Sequence, residues 1–190
     1  MPRNVQGDGG VGEFFDFLKT RQNKLEGVTI TGGEPTLHTD LLDFITRIKD
    51  LGFKVKLDSN GSNPQTLNKI LQTGLVDYVA MDIKSTPAKY SLLMGRPIDT
   101  ERIKQSVQII MNSGLDYEFR TTCVPGLHQP EDFNEIAQWL KGAKHYYLQE
   151  YQTNVNFDPD LKNRIFGLKL DLDEIMTRIQ SNFLFISIRR

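Results

Sequence analysis

Polar and charged side chains recur where the short apolar runs of this sequence end. Five β-like runs end in, or are interrupted by, groups able to bind ions or transfer protons: Gly32-Gly33-Glu34-Pro35, Asp58-Ser59-Asn60-Gly61, Asp82 with Lys84, Arg120, and Gln149-Glu150. A charge buried near a strand end is costly unless it is paired or meets a ligand. The repetition of such groups therefore predicts a binding or catalytic site.

Each of these groups also has a purely structural interpretation when it is taken alone. The glycine pair at 32–33 and the dipeptide Asn60-Gly61 are both common in turns. The charged residues can form internal ion pairs, Asp82 with Lys84 and Arg120 with Glu118 or Asp82. Their joint occurrence at successive strand ends favours a site over a set of unrelated structural features.

Amphipathic helices and short strands alternate along the chain, and each of four helices ends at a glycine. Their starts are marked by Thr39, Asn63-Pro64, Thr100 and Pro130, and their ends by Gly52, Gly74, Gly114 and Gly142. Apolar, β-rich runs predict strands at 28–31, 53–57, 78–83, 117–124 and 146–151. A helix at 171–180 and a further strand at 183–188 are expected near the end.

Strands joined by helices of this length need crossover connections, so the sheet is predicted to be parallel. No G-x-G-x-x-G run follows the first strand, which favours an α/β fold of the (β/α) barrel type, complete or partial, over a dinucleotide-binding sheet. The carboxyl ends of parallel strands meet at one mouth, so the polar residues at those ends are expected to converge there.

The chain opens with a helix, expected at 11–25, before the first strand. In strict alternation this implies an upstream strand, so the first strand of the barrel is expected to be missing. The alternative is a domain that simply starts with a helix. A missing strand would leave the edge of the run 28–31 unpaired, and such an edge favours dimerisation.

The composition predicts one ordinary soluble domain spanning 1–190. A net charge of −1 leaves no basic excess for binding a nucleic-acid backbone. No apolar run is long enough for a membrane span and the first residues do not resemble a signal peptide, which favours a cytoplasmic location. The single cysteine, Cys123, excludes an internal disulfide and a four-cysteine metal site and is expected in the core. His38, His128 and His145 lack metal-ligand spacing and are expected at the surface or in caps.

Five segments, in order and at βα spacing, resemble the radical S-adenosylmethionine (SAM) superfamily. They are 27–36 (GVTITGGEPT), 54–61 (KVKLDSNG), 76–84 (VDYVAMDIK), 120–126 (RTTCVPG) and 147–150 (YLQE). Within that superfamily the sequence is most similar to activating proteins of anaerobic ribonucleoside-triphosphate reductase, which are relatives of pyruvate formate-lyase activating enzymes. A lone Gly-Gly-Glu-Pro run is a weak signal, whereas all five segments together are specific.

The resemblance implies a partial (β/α)6 barrel that binds SAM at its strand ends. It assigns Gly32, Gly33 and Glu34 to a loop that contacts the SAM amino group, and Asp58, Ser59 and Asn60 to a second strand-end contact. It assigns Asp82, Lys84 and Arg120 to a charged set around the SAM carboxylate and ribose, and Val124 to the adenine. A further candidate is Gln149 at the last strand end.

One feature of the family is absent. Its members hold a 4Fe-4S cluster through a C-x-x-x-C-x-x-C run after the first strand, and an electron from the cluster cleaves SAM to a 5′-deoxyadenosyl radical. This sequence has no such run, and Cys123 alone cannot replace it. The absent cysteines and the absent first strand belong to the same upstream segment, so we expect a chain truncated at its N-terminus.

Three functions remain open on the sequence alone. The resemblance implies that the complete protein generates a glycyl radical on a partner similar to anaerobic ribonucleotide reductase, using a low-potential electron donor. A cluster-less barrel that binds SAM or a protein without catalysis is the second possibility. An unrelated (β/α) enzyme that uses the strand-end carboxylates as acid and base is the third.

Overall fold

The fold is built on one parallel sheet whose strands follow the order of the chain. In this computed structural model, which describes residues 8–152, 165 and 167–190, the sheet order is β1-β2-β3-β4-β5-β6 and all five pairings are parallel. The strands are β1 (Gly27–Ile30), β2 (Lys54–Ser59), β3 (Tyr78–Asp82), β4 (Asp116–Cys123), β5 (His145–Glu150) and β6 (Phe185–Arg189).

One helix precedes β1, and the other helices connect each strand to the next. In chain order the helices are α1 (Asp8–Lys19), α2 (Leu41–Asp50), α3 (Pro64–Gln72), α4 (Tyr90–Leu93), α5 (Thr100–Met111), α6 (Pro130–Trp139) and α7 (Leu172–Ile179), with short 3-10 turns at Pro35–Leu37 and Gln180–Asn182. This arrangement confirms the predicted α/β partial barrel with a parallel sheet. None of the described helices is both long and apolar enough to span a bilayer.

The two faces of the sheet differ in chemistry because successive side chains of a strand point to opposite faces. One face packs on the helices and forms the core, with Val55, Leu57, Val79, Met81, Tyr117, Phe119, Tyr146 and Leu148 all buried. The alternate positions form a polar face, which carries Lys56, Asp58, Tyr78, Asp82, Glu118, Arg120, Tyr147, Gln149 and Arg189. The register sets Asp82 beside Arg120 across β3 and β4.

The predicted starts of α3, α5 and α6 at Pro64, Thr100 and Pro130 are confirmed, and the other element boundaries differ from the sequence predictions by a few residues, most at the end of α1. The first helix ends at Lys19, not at residue 25, and turns fill the interval before β1. Asp40 occupies the N-cap position predicted for Thr39, and Asp99 caps α5 by accepting from the Glu101 N–H. The glycine stops are confirmed, as at Gly142 with a φ of 86°.

Strand β1 lies at one edge of the sheet. Among the described residues it pairs with β2 alone, and no strand precedes it. Its four residues alternate between exposed and half-buried, in contrast to the buried central strands. This edge is where the sequence predicts that a further strand belongs.

Candidate functional site

A cleft of about 270 Å³ lies at the carboxyl ends of β1 to β4. Of the ten residues predicted to contact a ligand, eight line this cleft: Gly32, Gly33, Asp58, Ser59, Asn60, Asp82, Lys84 and Arg120. The convergence follows from the parallel sheet, which brings residues far apart in sequence to one end of adjacent strands. The volume is close to the lower end of small-molecule sites, about 300 Å³.

Arg120 of β4 is the centre of the charge arrangement in the cleft. Its Nη2 donates to Asp58 Oδ2 at 2.9 Å and its Nε donates to Asp82 Oδ1, so one guanidinium joins carboxylates from two other strands. Burial lowers the pKa of Arg120, but the hydrogen bonds and charges of Asp82 and Asp58 outweigh it and raise the pKa above its usual value. Arg120 is therefore a permanent cation here.

Each of the two aspartates also pairs with a lysine, in addition to Arg120. Lys56 Nζ donates to Asp58 Oδ1 at 2.9 Å, and Lys84 Nζ donates to Asp82 Oδ2 at 2.7 Å. Burial raises the pKa of Asp82, yet Lys84 and Arg120 together hold it below its ordinary value. A general acid at neutral pH needs a raised pKa, so this arrangement disfavours the hypothesis that Asp82 works as an acid catalyst.

Glu34 lies beside the cleft but does not line it. Its side chain is buried and accepts four hydrogen bonds, from the Thr36 N–H at 3.2 Å, Thr36 Oγ1 at 2.5 Å, Ser59 Oγ at 3.0 Å and the Asn60 N–H at 2.6 Å. Both carboxylate oxygens are thus engaged within the protein. Glu34 ties the loop after β1 to the end of β2, and the backbone of Gly32 and Gly33 faces the cleft.

The turn interpretation of Asn60-Gly61 is also correct, and Asn60 lines the cleft as well. Asn60 Oδ1 accepts from the Ser62 N–H at 2.9 Å. Gly61 has a φ of 75°, a conformation that strains any residue with a Cβ, and a Cβ there would also lie 2.0 Å from the Met81 Cε atom. Ser106 of α5 closes the turn by donating from Oγ to the Gly61 carbonyl at 2.7 Å.

Val124 and Gln149, the remaining candidates, lie outside the residues that line the cleft. Val124 is buried, and its N–H donates to His128 Nδ1 at 3.1 Å. Gln149 belongs to β5 on the polar face of the sheet. The expectation that His128 lies at the surface is wrong: its ring is buried between the loops that follow β3 and β4.

Sequence reasoning missed the wall of the cleft formed by the segment after β3. This wall consists of Tyr90, Met94, Arg96 and Ile98, with Ile103 of α5 beside it. Arg96 is exposed and forms no ion pair or hydrogen bond with the residues that the structure describes, unlike Lys84 and Arg120. No periodic pattern indicates these positions; only the charge of Arg96 beside Gly95 and Pro97 could have drawn attention to this loop.

Cys123 is a core residue, as predicted. It is 2% exposed, and burial raises the pKa of its thiol to about 12. Within the part of the chain that the structure describes, no group of three or more His, Cys, Asp and Glu side chains is placed to hold a metal ion. The described residues therefore do not fit a 4Fe-4S cluster, which needs several thiolate ligands.

The sequence profile of the radical SAM superfamily matches residues 11–140. With this match over more than half of its length, and a parallel partial barrel whose polar cleft lies at the strand ends, the chain belongs to the radical SAM superfamily.

Two proteins with similar sequences illustrate the relationship within the superfamily. The chain is 34% identical over 155 residues to a protein of Methanocaldococcus jannaschii named as a glycyl-radical enzyme activating enzyme, covering 79% of this chain and 65% of that protein. It is also 34% identical over 137 residues to 7-carboxy-7-deazaguanine synthase of Thermococcus kodakarensis, covering 70% of this chain and 51% of that protein. The chain thus spans about half to two thirds of the length of these relatives.

Solved structures share the fold. A domain of pyruvate-formate lyase-activating enzyme from Bacteroides vulgatus superposes with a TM-score of 0.63 at 18% identity, covering 86% of this chain and 99% of that one. Streptococcus suis SuiB bound to S-adenosylmethionine superposes with a TM-score of 0.71 at 14% identity, covering 100% of this chain and 45% of that one. At these identities the likeness supports the fold alone.

Proposed function

We propose that the strand-end cleft binds SAM and that the chain is the SAM-binding part of a glycyl-radical enzyme activating protein. The observation that carries the proposal is the meeting of Asp58, Asp82, Lys84 and Arg120 in one cleft of a radical SAM chain. The relative from Methanocaldococcus jannaschii supports the choice of activating protein within the superfamily.

The chemistry of the cleft suits the groups that SAM presents. Backbone atoms of Gly32 and Gly33 are available to its amino-acid end, and the carboxylates of Asp58 and Asp82 can accept from ribose hydroxyls. Arg120 holds both aspartates in place, and Lys84 holds Asp82 from the other side. Arg96 is the cation best placed to meet the SAM carboxylate, because the other cations of the cleft already pair with aspartates.

The iron-sulfur cluster does not fit the described residues, so no step of SAM cleavage is derived for this chain. We propose that the cluster cysteines of the working protein lie outside the 190 residues, in a segment encoded in frame upstream. The shares of 65% and 51% that the chain covers of its relatives support this proposal. Sequencing the genomic DNA upstream tests it, because a stop codon or promoter directly before Met1 would favour the cluster-less alternative.

The complete protein would act on a glycyl radical enzyme similar to anaerobic ribonucleotide reductase, taking its electron from a low-potential donor. In this proposal residues 1–190 act as one domain in the cytoplasm. A cluster-less barrel that binds SAM without cleaving it remains the second candidate, and the observation in its favour is the lack of a second cysteine.

Isothermal titration of the chain with SAM tests the binding proposal. We expect weak but saturable binding, since the contacts to an open iron are absent. Arg120→Ala should weaken it roughly tenfold or more, because the loss frees two aspartates that face the ligand. Arg47→Ala, on the outer helix α2, is the control and should bind as the parent does. Heat signals that do not saturate in the parent would contradict the proposal.

A further inference from the structure

The loops that follow β3 and β4 are joined through the imidazole of His128. The Val124 N–H donates to His128 Nδ1 at 3.1 Å, and His128 Nε2 lies 2.9 Å from the Lys84 carbonyl oxygen. A ring nitrogen that accepts an N–H carries no proton, so the proton of the neutral ring lies on Nε2 and is donated to Lys84. The ring is 2% exposed, and its tautomer is fixed by these two partners.

The Lys84 peptide is held on its other side as well. The Lys84 N–H donates to the hydroxyl oxygen of Tyr90 at 3.1 Å. Burial raises the pKa of Tyr90 to about 12, so this hydroxyl stays protonated at neutral pH. With its N–H bound to Tyr90 and its carbonyl bound to His128, the backbone of Lys84 leaves β3 in one direction. That direction sets where the Lys84 side chain meets Asp82 in the cleft.

A second link fastens the same segment to the start of α6. Lys89 Nζ lies 2.6 Å from Oδ1 of the buried Asp132, whose Oδ2 accepts from the Gln129 N–H at 2.9 Å. The Tyr90 ring also meets Trp139 of α6 edge-on, with centroids 6.4 Å apart. The wall of the cleft is therefore anchored to α6, and His128 is the part of this anchor that contacts Lys84.

We propose that His128 is a positioning residue, which fixes Lys84 through its backbone carbonyl and so shapes the cleft for its ligand. The inference rests on the proposed function in so far as the ligand is SAM. His128 lies outside the residues that line the cleft, so it acts through Lys84.

Two substitutions separate the two hydrogen bonds of the ring. In His128→Gln an amide N–H can take the place of Nε2, because it lies the same number of bonds from Cβ. In His128→Asn the amide can take the place of Nδ1 but is too short to reach Lys84. We expect Asn to weaken SAM binding roughly fivefold to tenfold, the usual range for one lost hydrogen bond, and Gln to stay within about threefold of the parent.

Ser85→Ala serves as the matched control. Ser85 follows Lys84 directly and is fully buried, but its Oγ has no hydrogen-bond partner among the described residues. Removing this hydroxyl should leave SAM binding unchanged. Equal weakening by Gln and Asn, or no weakening by Asn, would overturn the role of His128.

Nuclear magnetic resonance gives a readout that does not depend on SAM. Nitrogen shifts of His128 should show an unprotonated Nδ1 and a protonated Nε2, and exchange of the Lys84 amide should be slow in the parent, faster in His128→Asn and slow again in His128→Gln. A protonated Nδ1, or an exchange rate equal in all three proteins, overturns the inference. If the parent binds no SAM, the proposed function fails, and the exchange data still decide the role of His128.

Discussion

The backbone N–H of Asn60 donates to a carboxylate oxygen of Glu34 at 2.6 Å, joining the end of β2 to the loop after β1. The same carboxylate accepts from Ser59 Oγ and from the N–H and hydroxyl of Thr36. Every oxygen of the side chain is therefore engaged inside the protein. Glu34 sets the relative position of two loops that border the cleft, and this is a role in shape before any contact with a ligand.

Glu34→Ala should accordingly cost stability. The substitution leaves buried hydroxyl and N–H donors without an acceptor, and we expect the free energy of unfolding to fall by about 1 to 3 kcal/mol. Glu26→Ala, on an exposed side chain just before β1, is the control and should change little. Urea denaturation followed by circular dichroism measures both. Equal stability of the two variants would show that the hydrogen bonds of Glu34 are not needed for the fold.

The sequence predicted the sheet and the place of the cleft for one physical reason. Alternating helices and strands allow only crossover connections, and these make the strand ends meet at one side. Eight residues from four strand ends could therefore be brought together without any knowledge of their contacts. The same reasoning could not tell that the Glu34 carboxylate is engaged by Ser59 and Asn60, since these partners come from the end of another strand.

The sequence could not predict the role of His128 either, because that role depends on a contact between residues far apart in the chain. Its partner Lys84 is 44 residues away, and no local pattern links them. A lone histidine after a Pro-Gly turn is typical of an exposed loop, whereas the ring is in fact buried between two loops. The sequence also could not predict that Arg96 lines the cleft, because the loop after α4 has no periodic pattern that indicates where its side chains lie.

Acid should weaken the fold through Asp82. Burial raises its pKa, but Lys84 and Arg120 lower it further, so the folded pKa lies below the unfolded value of about 3.9. A carboxylate of this kind stabilises the fold fully above the unfolded pKa, and the contribution disappears as pH falls through the folded pKa. Asp82→Asn should therefore be less stable than the parent at neutral pH and lose less stability below about pH 4.

Thermal melts from neutral pH down to about pH 3 measure this difference. Asp116→Asn is the matched control, because Asp116 begins the neighbouring strand β4 and its side chain is 72% exposed beside Lys144. Its stability should follow the parent at every pH. A pH slope of Asp82→Asn identical to that of the parent would show that Asp82 is not held ionised by its neighbours.

Cys123 should be inert in the folded protein. Burial raises the pKa of its thiol to about 12, so almost no thiolate exists at about pH 8 and the sulfur is shielded from solvent. We expect iodoacetamide to label the unfolded chain and to leave the folded chain unlabelled, as measured by mass spectrometry. Rapid labelling of the folded chain would contradict this expectation.

Anaerobic incubation with iron, sulfide and reductant should give no 5′-deoxyadenosine from SAM, because Cys123 alone cannot hold a cluster. Stoichiometric SAM cleavage would contradict this expectation.

The edge of β1 should drive self-association. Its backbone pairs with β2 on one side only among the described residues, and an unpaired edge of a parallel sheet attracts a further strand. We expect a dimer whose population rises with concentration in sedimentation equilibrium. Thr29→Lys places a charge on the exposed edge and should shift the protein towards monomer, whereas Thr177→Lys on α7 should not. A parent protein that is monomeric at all concentrations would contradict the prediction that the unpaired edge of β1 drives association.

Arg96 should recognise the carboxylate of SAM. It lines the cleft, is exposed and has no ion-pair partner in the described part of the chain, whereas Lys84 and Arg120 are already paired with Asp82 and Asp58. A charge-assisted hydrogen bond contributes about 1.5 to 3 kcal/mol, so Arg96→Ala should weaken SAM binding at least tenfold. Arg102→Ala, on the exposed side of α5, is the matched control and should bind SAM as the parent does.

The ligand can be varied together with the protein to locate the contact. 5′-Methylthioadenosine keeps the adenosine and the sulfur of SAM but lacks its amino and carboxylate groups. If Arg96 meets the carboxylate, its loss leaves the affinity for this analogue unchanged while the affinity for SAM falls, and added salt reduces the difference between parent and variant because it screens an exposed charge pair. Equal weakening for both ligands would instead place Arg96 against the adenosine part, with the carboxylate bound elsewhere in the cleft.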